Sequence, residues 1–179
     1  AASDRLDFET AALLRDQIAA IDRVAAGQKV VMDAGTEMDV IALAGTTRAV
    51  CAAVLRYRDG RLTDKREFVF HDTTDIEAVR EEFLPQYYLD GETIPKTIAV
   101  DTLPPDAEAL NQALNEARGS KVELYVPHRG DVAKLVTMAY TNAVERLGRE
   151  SGRYTREEKL LEEAAQVLGL KKPPRVIES

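Results

Sequence analysis

A short apolar run, residues 38–44, constrains the fold of this chain more than any other stretch. It reads Met-Asp-Val-Ile-Ala-Leu-Ala, contains β-branched residues, and lies between Gly35 and Gly45. A run of this length with glycine on both sides is typical of a fully buried strand rather than of a helix. We therefore predict that this strand is the centre of a sheet and that the later elements pack around it.

The elements that follow are predicted in the order strand, strand, helix, strand, helix, strand, helix and a last helix. The first two strands, over 49–57 and 61–70, are joined at Asp59-Gly60, a pair typical of a two-residue hairpin turn. The remaining predicted elements are a helix capped by Thr73 or Thr74 and kinked or ended by Pro85, a strand over 97–101, a helix from Pro104 to Arg118, a strand over 121–126, a helix over 131–147, and a helix over 155–168 that begins with a capping box between Thr155 and Glu158.

The first part of the chain predicts a separate amphipathic helix over 7–26, capped by Asp7 and ended by Gly27. Its apolar residues recur at spacings of three and four, which forms a narrow seam suited to one partner helix. The seam residues are Ala11, Leu14, Ile18, Ile21 and Ala25. The partner is either another protein or the chain's own domain. Residues 28–37 form a connector, in which 29–32 is a short strand or part of a turn.

Composition excludes several classes of protein. A single cysteine among 179 residues excludes a disulfide framework or a multi-cysteine metal site, and Cys51 is predicted to be a buried apolar residue. The chain has no run of 18 apolar residues and no signal-peptide pattern, so we expect no membrane span and a cytoplasmic location.

The charge of the chain is uneven. The net charge is −7, with 12 basic and 22 acidic residues in 1–117 but 12 basic and 9 acidic residues in 118–179. A phosphate contact is therefore expected in the last third of the chain, although such an imbalance also arises between ordinary solvated helix faces.

Residues 6–18 carry a specific pattern, L-x-F-E-x-A-A-x-x-R-D-x-I. This pattern resembles the UVR motif, which the bacterial excision-repair proteins UvrB and UvrC share. The resemblance implies the second helix of a helical hairpin that pairs with UvrB, with Phe8 as an aromatic anchor and Glu9 and Arg15 as charged contacts. The implied UvrB-binding residues are Leu6, Phe8, Glu9, Ala11, Leu14, Arg15, Ile18 and Ile21.

A second pattern, Pro127-His128-Arg129-Gly130-Asp131 followed by Thr141-Asn142-Ala143, resembles a stretch of the UvrC family. The resemblance extends over essentially the whole chain and implies the region that precedes the family's second nuclease domain. It implies a mixed α/β sheet of the RNase H-like class, as the element order also suggests. We divide the chain into a UVR helix (1–27), an RNase H-like domain (38–172) and a linker (173–179).

The predicted domain lacks the acid set of a nuclease. Two-metal hydrolysis requires several carboxylates that converge on the metal ions, but Ala42 and Leu43 occupy the middle of the first strand. We therefore expect no catalytic residue, metal or cofactor in this chain. The alternative is a nuclease that uses Asp39, Asp101 and Asp131.

The segment around Arg129 is the candidate contact for DNA. Free N–H groups and the helix dipole favour an anion at a helix N-terminus, where Arg129 and Lys134 supply charge and Gly130 permits close approach. Asp131 as a simple cap, with Arg129 paired to an acid, is the alternative. The Tyr87-Tyr88 pair is expected to fill the core rather than to stack on bases. Three functions remain open: a scaffold, a nuclease and a structural spacer.

Overall fold

The computed structural model describes residues 32–71 and 73–168. Within these ranges, five strands and three helices follow one another in the order predicted as far as the last strand. The strands are β1 (Met38–Gly45), β2 (Ala49–Arg58), β3 (Arg61–His71), β4 (Thr97–Val100) and β5 (Glu123–Tyr125), and the helices are α1 (Ile76–Leu89), α2 (Ala107–Arg118) and α3 (Gly130–Leu168). The predicted helix over 7–26 and linker over 173–179 lie outside the described residues, so the division into three parts stays a prediction.

The strand predicted to organise the chain is the centre of the sheet. The strand order is β3-β2-β1-β4-β5, in which β1 pairs antiparallel with β2 and parallel with β4. Strands β4 and β5 are also parallel. Residues 38–44 are all buried, as expected for a strand that is covered on both faces. The mixed α/β class is confirmed.

The alternation of side chains along β1 divides the core between the two faces. Ile41 and Leu43 join a cluster with residues of α1 and α2. Val40 and Ala42 point to the other face, where Leu135 of α3 packs against them. The described helices therefore cover the sheet from both sides. None of them carries an apolar stretch long enough to cross a membrane.

The hairpin turn between β2 and β3 has the conformation that its sequence predicts. Asp59 and Gly60 both have positive φ angles, 52° and 74°, as a type I′ turn requires. A Cβ atom on Gly60 would lie 2.8 Å from the Met32 carbonyl oxygen, and the Gly35 amide donates to Asp59 Oδ1 at 2.7 Å. These contacts hold the segment that enters β1 against the turn.

Helix α1 differs from the prediction at its start. Asp75, rather than Thr73 or Thr74, caps the helix, because its carboxylate accepts a hydrogen bond from the Ala78 amide at 3.1 Å. Pro85 lies inside the helix, which continues to Leu89. Tyr87 and Tyr88 are 8% and 3% exposed, so the prediction that they fill the core is confirmed.

Helix α3 is one helix of 39 residues, so the prediction of two helices over 131–147 and 155–168 was wrong. The supposed capping residue, Thr155, donates a hydrogen bond from Oγ1 to the Ser151 carbonyl at 3.1 Å, which is a bond along a continuous helix. Strand β5 is also shorter than the predicted 121–126. Cys51 is buried in β2, as predicted.

Candidate functional site

Asp39, at the start of β1, is held by two partners from other elements. Its Oδ1 accepts a hydrogen bond from Arg58 Nη1 at 2.8 Å, and its Oδ2 accepts one from the Tyr88 hydroxyl at 2.8 Å. Arg58 ends β2, whereas Tyr88 lies near the end of α1. Both carboxylate oxygens are thus occupied, and Asp39 joins the sheet to the helix layer.

Burial dominates the electrostatics of Asp39, whose side chain is fully buried. Removal from water raises the pKa of Asp39 above its usual value, while the hydrogen bonds from Arg58 and Tyr88 act in the opposite direction. Burial also raises the pKa of Tyr88 well above its usual value, and the nearby Asp39 carboxylate adds to the effect. Tyr88 therefore remains a neutral hydrogen-bond donor.

Asp101 follows β4 and is also fully engaged. Its Oδ1 accepts hydrogen bonds from Arg80 Nη1 at 2.6 Å and from the Thr102 amide at 2.8 Å. Its Oδ2 accepts one from the Leu43 amide at 3.1 Å, which fixes the carboxylate to the end of β1. Arg80, on α1, is only 3% exposed. A guanidinium therefore neutralises the acid at the carboxyl end of the two parallel strands.

The three acids of the nuclease alternative are not brought together as metal ligands. The β1–β4 register places Asp39 level with Ile98. Asp101 therefore lies three residues further along the sheet, roughly 10 Å away. Two-metal sites hold their ions only about 3.5–4 Å apart. Asp131 is exposed on α3 and lies 3.5 Å from Lys134 Nζ.

Elsewhere in the described part of the chain, metal-ligating side chains are not grouped together either. In residues 32–71 and 73–168, no group of three or more His, Cys, Asp or Glu side chains is placed to hold a metal ion. The arrangement around Asp39 and Asp101 can bind neighbouring side chains and fix elements, but each acid has an arginine where a metal ion would have to bind.

Sequence reasoning missed the arginines that engage these acids. Arg58 and Arg80 lie 19 and 21 residues from their carboxylate partners, and Tyr88 lies 49 residues from Asp39. Spacing along the chain gives no signal for such pairs. Only Arg80 could have been noticed in the sequence, because it lies among the apolar positions of α1, where a charged side chain requires a buried partner.

The predicted phosphate-binding residues lie at the exposed start of α3. Arg129 and Gly130 are exposed, and the side chain of Lys134 is 49% exposed. Gly130 has a φ of 81°, a conformation that favours glycine. Lys134 lies within ion-pair distance of Asp131, whereas no hydrogen bond or ion pair of the Arg129 side chain is found within the described ranges. The predicted UvrB-binding residues, Leu6 to Ile21, lie outside those ranges.

Comparison with known proteins gives two family matches. Residues 37–150 match the family model described as the UvrC ribonuclease H-like domain, which spans the whole sheet and the first half of α3. Residues 1–24 match the UvrB/uvrC motif.

Individual relatives cover nearly the whole chain. The UvrABC system protein C of Salinispora arenicola is 39% identical over 99% of this chain, and that of Syntrophotalea carbinolica is 36% identical over 99%. The chain spans only 28% and 29% of the length of these two relatives. Among solved structures, ribonuclease H2 from Pyrococcus horikoshii aligns with 77% of this chain and 91% of its own, at 12% identity and a TM-score of 0.41. This structural similarity is weak, so the family of the chain is assigned from the family models and the sequence relatives.

Proposed function

The chain belongs to the UvrC family, and from this premise we propose that it is the central, non-catalytic part of a UvrC-type subunit in bacterial nucleotide excision repair. In this proposal residues 6–24 dock on UvrB, and the segment 127–134 helps to position damaged DNA. The full-length protein would be a DNA endonuclease, and its two incisions would be made by domains outside this stretch. The chain would then be a scaffold between those domains.

The observation that best supports a non-catalytic role is that both carboxylates of the sheet already have hydrogen-bond and ion-pair partners. Asp39 is bound by Arg58 and Tyr88, and Asp101 is bound by Arg80 and two backbone amides. A metal ion would have to displace an arginine from each of them. At Asp101 the exchange would leave the buried Arg80 guanidinium without its partner, which is costly.

The charge at the start of α3 supports the DNA contact. Arg129 and Lys134 are exposed within one turn of the first free N–H groups of the helix, where a phosphate oxygen is favoured. Asp131 in the same turn opposes this attraction and pairs with Lys134. The contact is therefore expected to be weak and to depend strongly on salt. A module that positions DNA for other domains does not need tighter binding than this.

Fluorescence anisotropy of a labelled DNA duplex tests this contact. The chain and its Arg129→Ala/Lys134→Ala variant are titrated across a series of salt concentrations. We expect binding that weakens with salt, and a variant whose slope of log K against log salt is smaller by about 2, because two phosphate contacts are lost.

The matched control is Arg153→Ala/Lys159→Ala. This variant removes the same charge from exposed positions further along α3. It should retain the slope of the unmodified chain. If both double variants reduce binding equally, the effect is one of overall charge and segment 127–134 is not the contact. If the chain does not bind even at low salt, the domain is a spacer.

Docking on UvrB requires a separate experiment. The match of residues 1–24 to the UvrB/uvrC motif supports it. Binding of purified UvrB is measured by calorimetry with Phe8→Ala, Leu14→Ala and Leu13→Ala, the last being the control because Leu13 lies off the seam. Truncation of a buried anchor should weaken binding roughly 10-fold or more. Equal affinities of all three variants would refute docking through this seam.

A further inference from the structure

Helix α3 changes its environment along its length. Its first part packs on the sheet, and Leu147 and Glu150 are the last buried residues of that part. Residues 153 and 155–160 are then all exposed, and shielding from solvent resumes only from Leu161 onwards. We call residues 153–168 the arm of α3. The arm is joined to the packed part of the helix through residues 148–152.

Residues 148–152 are a weak point of the helix. They read Gly-Arg-Glu-Ser-Gly, and glycines and Gly/Ser pairs weaken helices and occur where helices kink. Gly148 and Gly152 follow the buried Ala143 by five and nine residues, which places them roughly 140° and 180° around the helix, on the side opposite the sheet. A Cβ atom added at either glycine would have no described residue of another element within 4 Å. The helix can therefore bend here towards solvent without a steric clash.

Two side chains satisfy the backbone carbonyl groups that such a bend would release. Thr155 Oγ1 donates to the Ser151 carbonyl at 3.1 Å, and Arg156 Nε donates to the Gly152 carbonyl at 3.4 Å. In the straight helix, these carbonyls also accept the backbone amides of residues 155 and 156. If the helix opens, the side-chain bonds can remain while the two amides, on exposed residues, bind water. The cost of bending is therefore reduced at this point.

An exposed ion pair holds the arm next to the sheet. Arg48, in the turn between β1 and β2, places its Nη1 atom 3.4 Å from Glu158 Oε1, and the two side chains are 38% and 54% exposed. An ion pair as exposed as this one is weak and is screened by salt. It can therefore hold the arm in the straight position and still release it readily.

We infer that residues 148–152 form a hinge, about which the arm moves between the straight position and a position bent away from the sheet. The Arg48–Glu158 ion pair is the latch of the straight position. The straight position is the major form, because Leu161 and Ala165 are shielded in it. Bending would redirect the end of α3 relative to its exposed start, where the DNA contact is proposed. The hinge itself depends on neither DNA nor UvrB, so its test contains neither.

Pulsed electron paramagnetic resonance on the whole chain tests the hinge. On a Cys51→Ala background, nitroxide labels are attached to Gln86→Cys, an exposed position of α1, and to Glu162→Cys, an exposed position of the arm. The control pair combines Gln86→Cys with Thr137→Cys, an exposed position on the packed part of α3. The thermal unfolding midpoint of each labelled protein verifies that it is folded.

We expect two populations of distances from the arm pair and one from the control pair. Gly148→Ala/Gly152→Ala should lower the ratio of bent to straight molecules roughly 5- to 30-fold, because each alanine favours a helix interior by a factor of about 2–5. Glu158→Gln should raise this ratio by up to about 5-fold, as expected for the loss of a surface ion pair. Glu157→Gln, at the neighbouring exposed position, should leave the ratio unchanged.

The inference fails if the arm pair gives a single distance distribution as narrow as that of the control pair, because α3 is then rigid. It also fails if two populations occur but the double alanine variant leaves their ratio unchanged, because the bend then lies elsewhere. Equal effects of Glu158→Gln and Glu157→Gln would overturn the assignment of the Arg48–Glu158 pair as the latch.

Discussion

Asp39 is a buried charged residue on which the stability of the domain should depend strongly. It is a fully buried carboxylate whose two oxygens are bound by one guanidinium and one hydroxyl. Removing one partner from a buried charge is much more costly than the net value of the pair, because the remaining charge is left without compensation. The position should therefore tolerate few substitutions, although it has no catalytic role in the proposed function.

Replacing Arg58 by methionine should destabilise the domain strongly. Arg58→Met retains most of the aliphatic stem but leaves the Asp39 carboxylate with only the Tyr88 hydroxyl. We expect a loss of about 3 kcal/mol in the free energy of unfolding, measured by urea denaturation. Tyr88→Phe removes one hydrogen bond to a charged group and should cost about 1.5–3 kcal/mol.

Arg61→Met is the matched control for this experiment. Arg61 lies across the same turn, in the pair Arg58–Arg61, but is exposed. A substitution at such a surface position usually changes stability by less than about 0.5 kcal/mol. If Arg58→Met were no more harmful than Arg61→Met, the ion pair with Asp39 would contribute nothing to stability.

Cys51 should be chemically inert in the folded protein. Burial raises the pKa of its thiol to about 12, and the nearby Glu67 carboxylate adds to the effect. At pH 8 the reactive thiolate is then a fraction on the order of 10⁻⁴ of the population. We expect no reaction with Ellman's reagent in buffer over an hour and complete reaction in 8 M urea. Rapid labelling of the native protein would show that β2 opens locally.

Single residues could be predicted from the sequence only where a local pattern decides their environment. The burial of Cys51 was predicted from its place in a strand, the core position of the Tyr87-Tyr88 pair from the usual role of aromatic side chains, and the hairpin at Asp59-Gly60 from turn chemistry. The side-chain partners of Asp39 and Asp101 come from other elements, and tertiary packing alone brings them together.

At the scale of elements, the continuity of α3 allows a test of helix propensity. Gly148 and Gly152 lie inside the helix without positive φ, and a Cβ atom added at either position would contact nothing within 4 Å. Gly148→Ala and Gly152→Ala should therefore each stabilise the domain by about 0.5–1 kcal/mol. Gly130→Ala, at a φ of 81°, is the contrasting variant and should destabilise it by about 1 kcal/mol. Thermal unfolding measures all three, and a destabilising Gly152→Ala would mean that the helix breaks there.

The errors in predicting elements have a common physical origin. Thr155 with Glu158, and Thr74 with Glu77, both have the spacing of a capping box, but such spacing is only a local preference. In α3 the Thr155 hydroxyl bonds back to Ser151 inside the helix, and in α1 Asp75 provides the stronger cap. Of the two outcomes predicted at Pro85, a kink or an end, the helix does not end there, and the aromatic packing of Phe83 and Tyr87, with ring centroids 5.4 Å apart, stabilises its last turn.

At the scale of the whole molecule, the order of elements and the burial of β1 were sufficient to predict the sheet. A central strand covered on both faces requires helices on both sides, and parallel pairing of β1 with β4 requires a crossover such as α1. The lack of a carboxylate at the middle of β1 was read directly from Ala42 and Leu43, whereas the arginine that pairs with each of Asp39 and Asp101 became evident only from the fold.

These two ion pairs predict how the molecule responds to divalent metal ions. Because Arg58 and Arg80 already bind Asp39 and Asp101, 5 mM Mg²⁺ or Mn²⁺ should shift the thermal unfolding midpoint by less than about 1 °C, and removal of metal by EDTA should have no effect. If a metal site existed and the free ion were present at 100 times its dissociation constant, binding would instead stabilise the fold by about 2.7 kcal/mol. The thermal unfolding midpoint would then rise by roughly 5–10 °C for a chain of this size.

Supercoiled plasmid incubated with the same ions should remain uncut, and Asp101→Asn should lower stability without changing that result. A metal-dependent rise in the midpoint, or plasmid nicking, that Asp101→Asn abolishes would restore the nuclease interpretation.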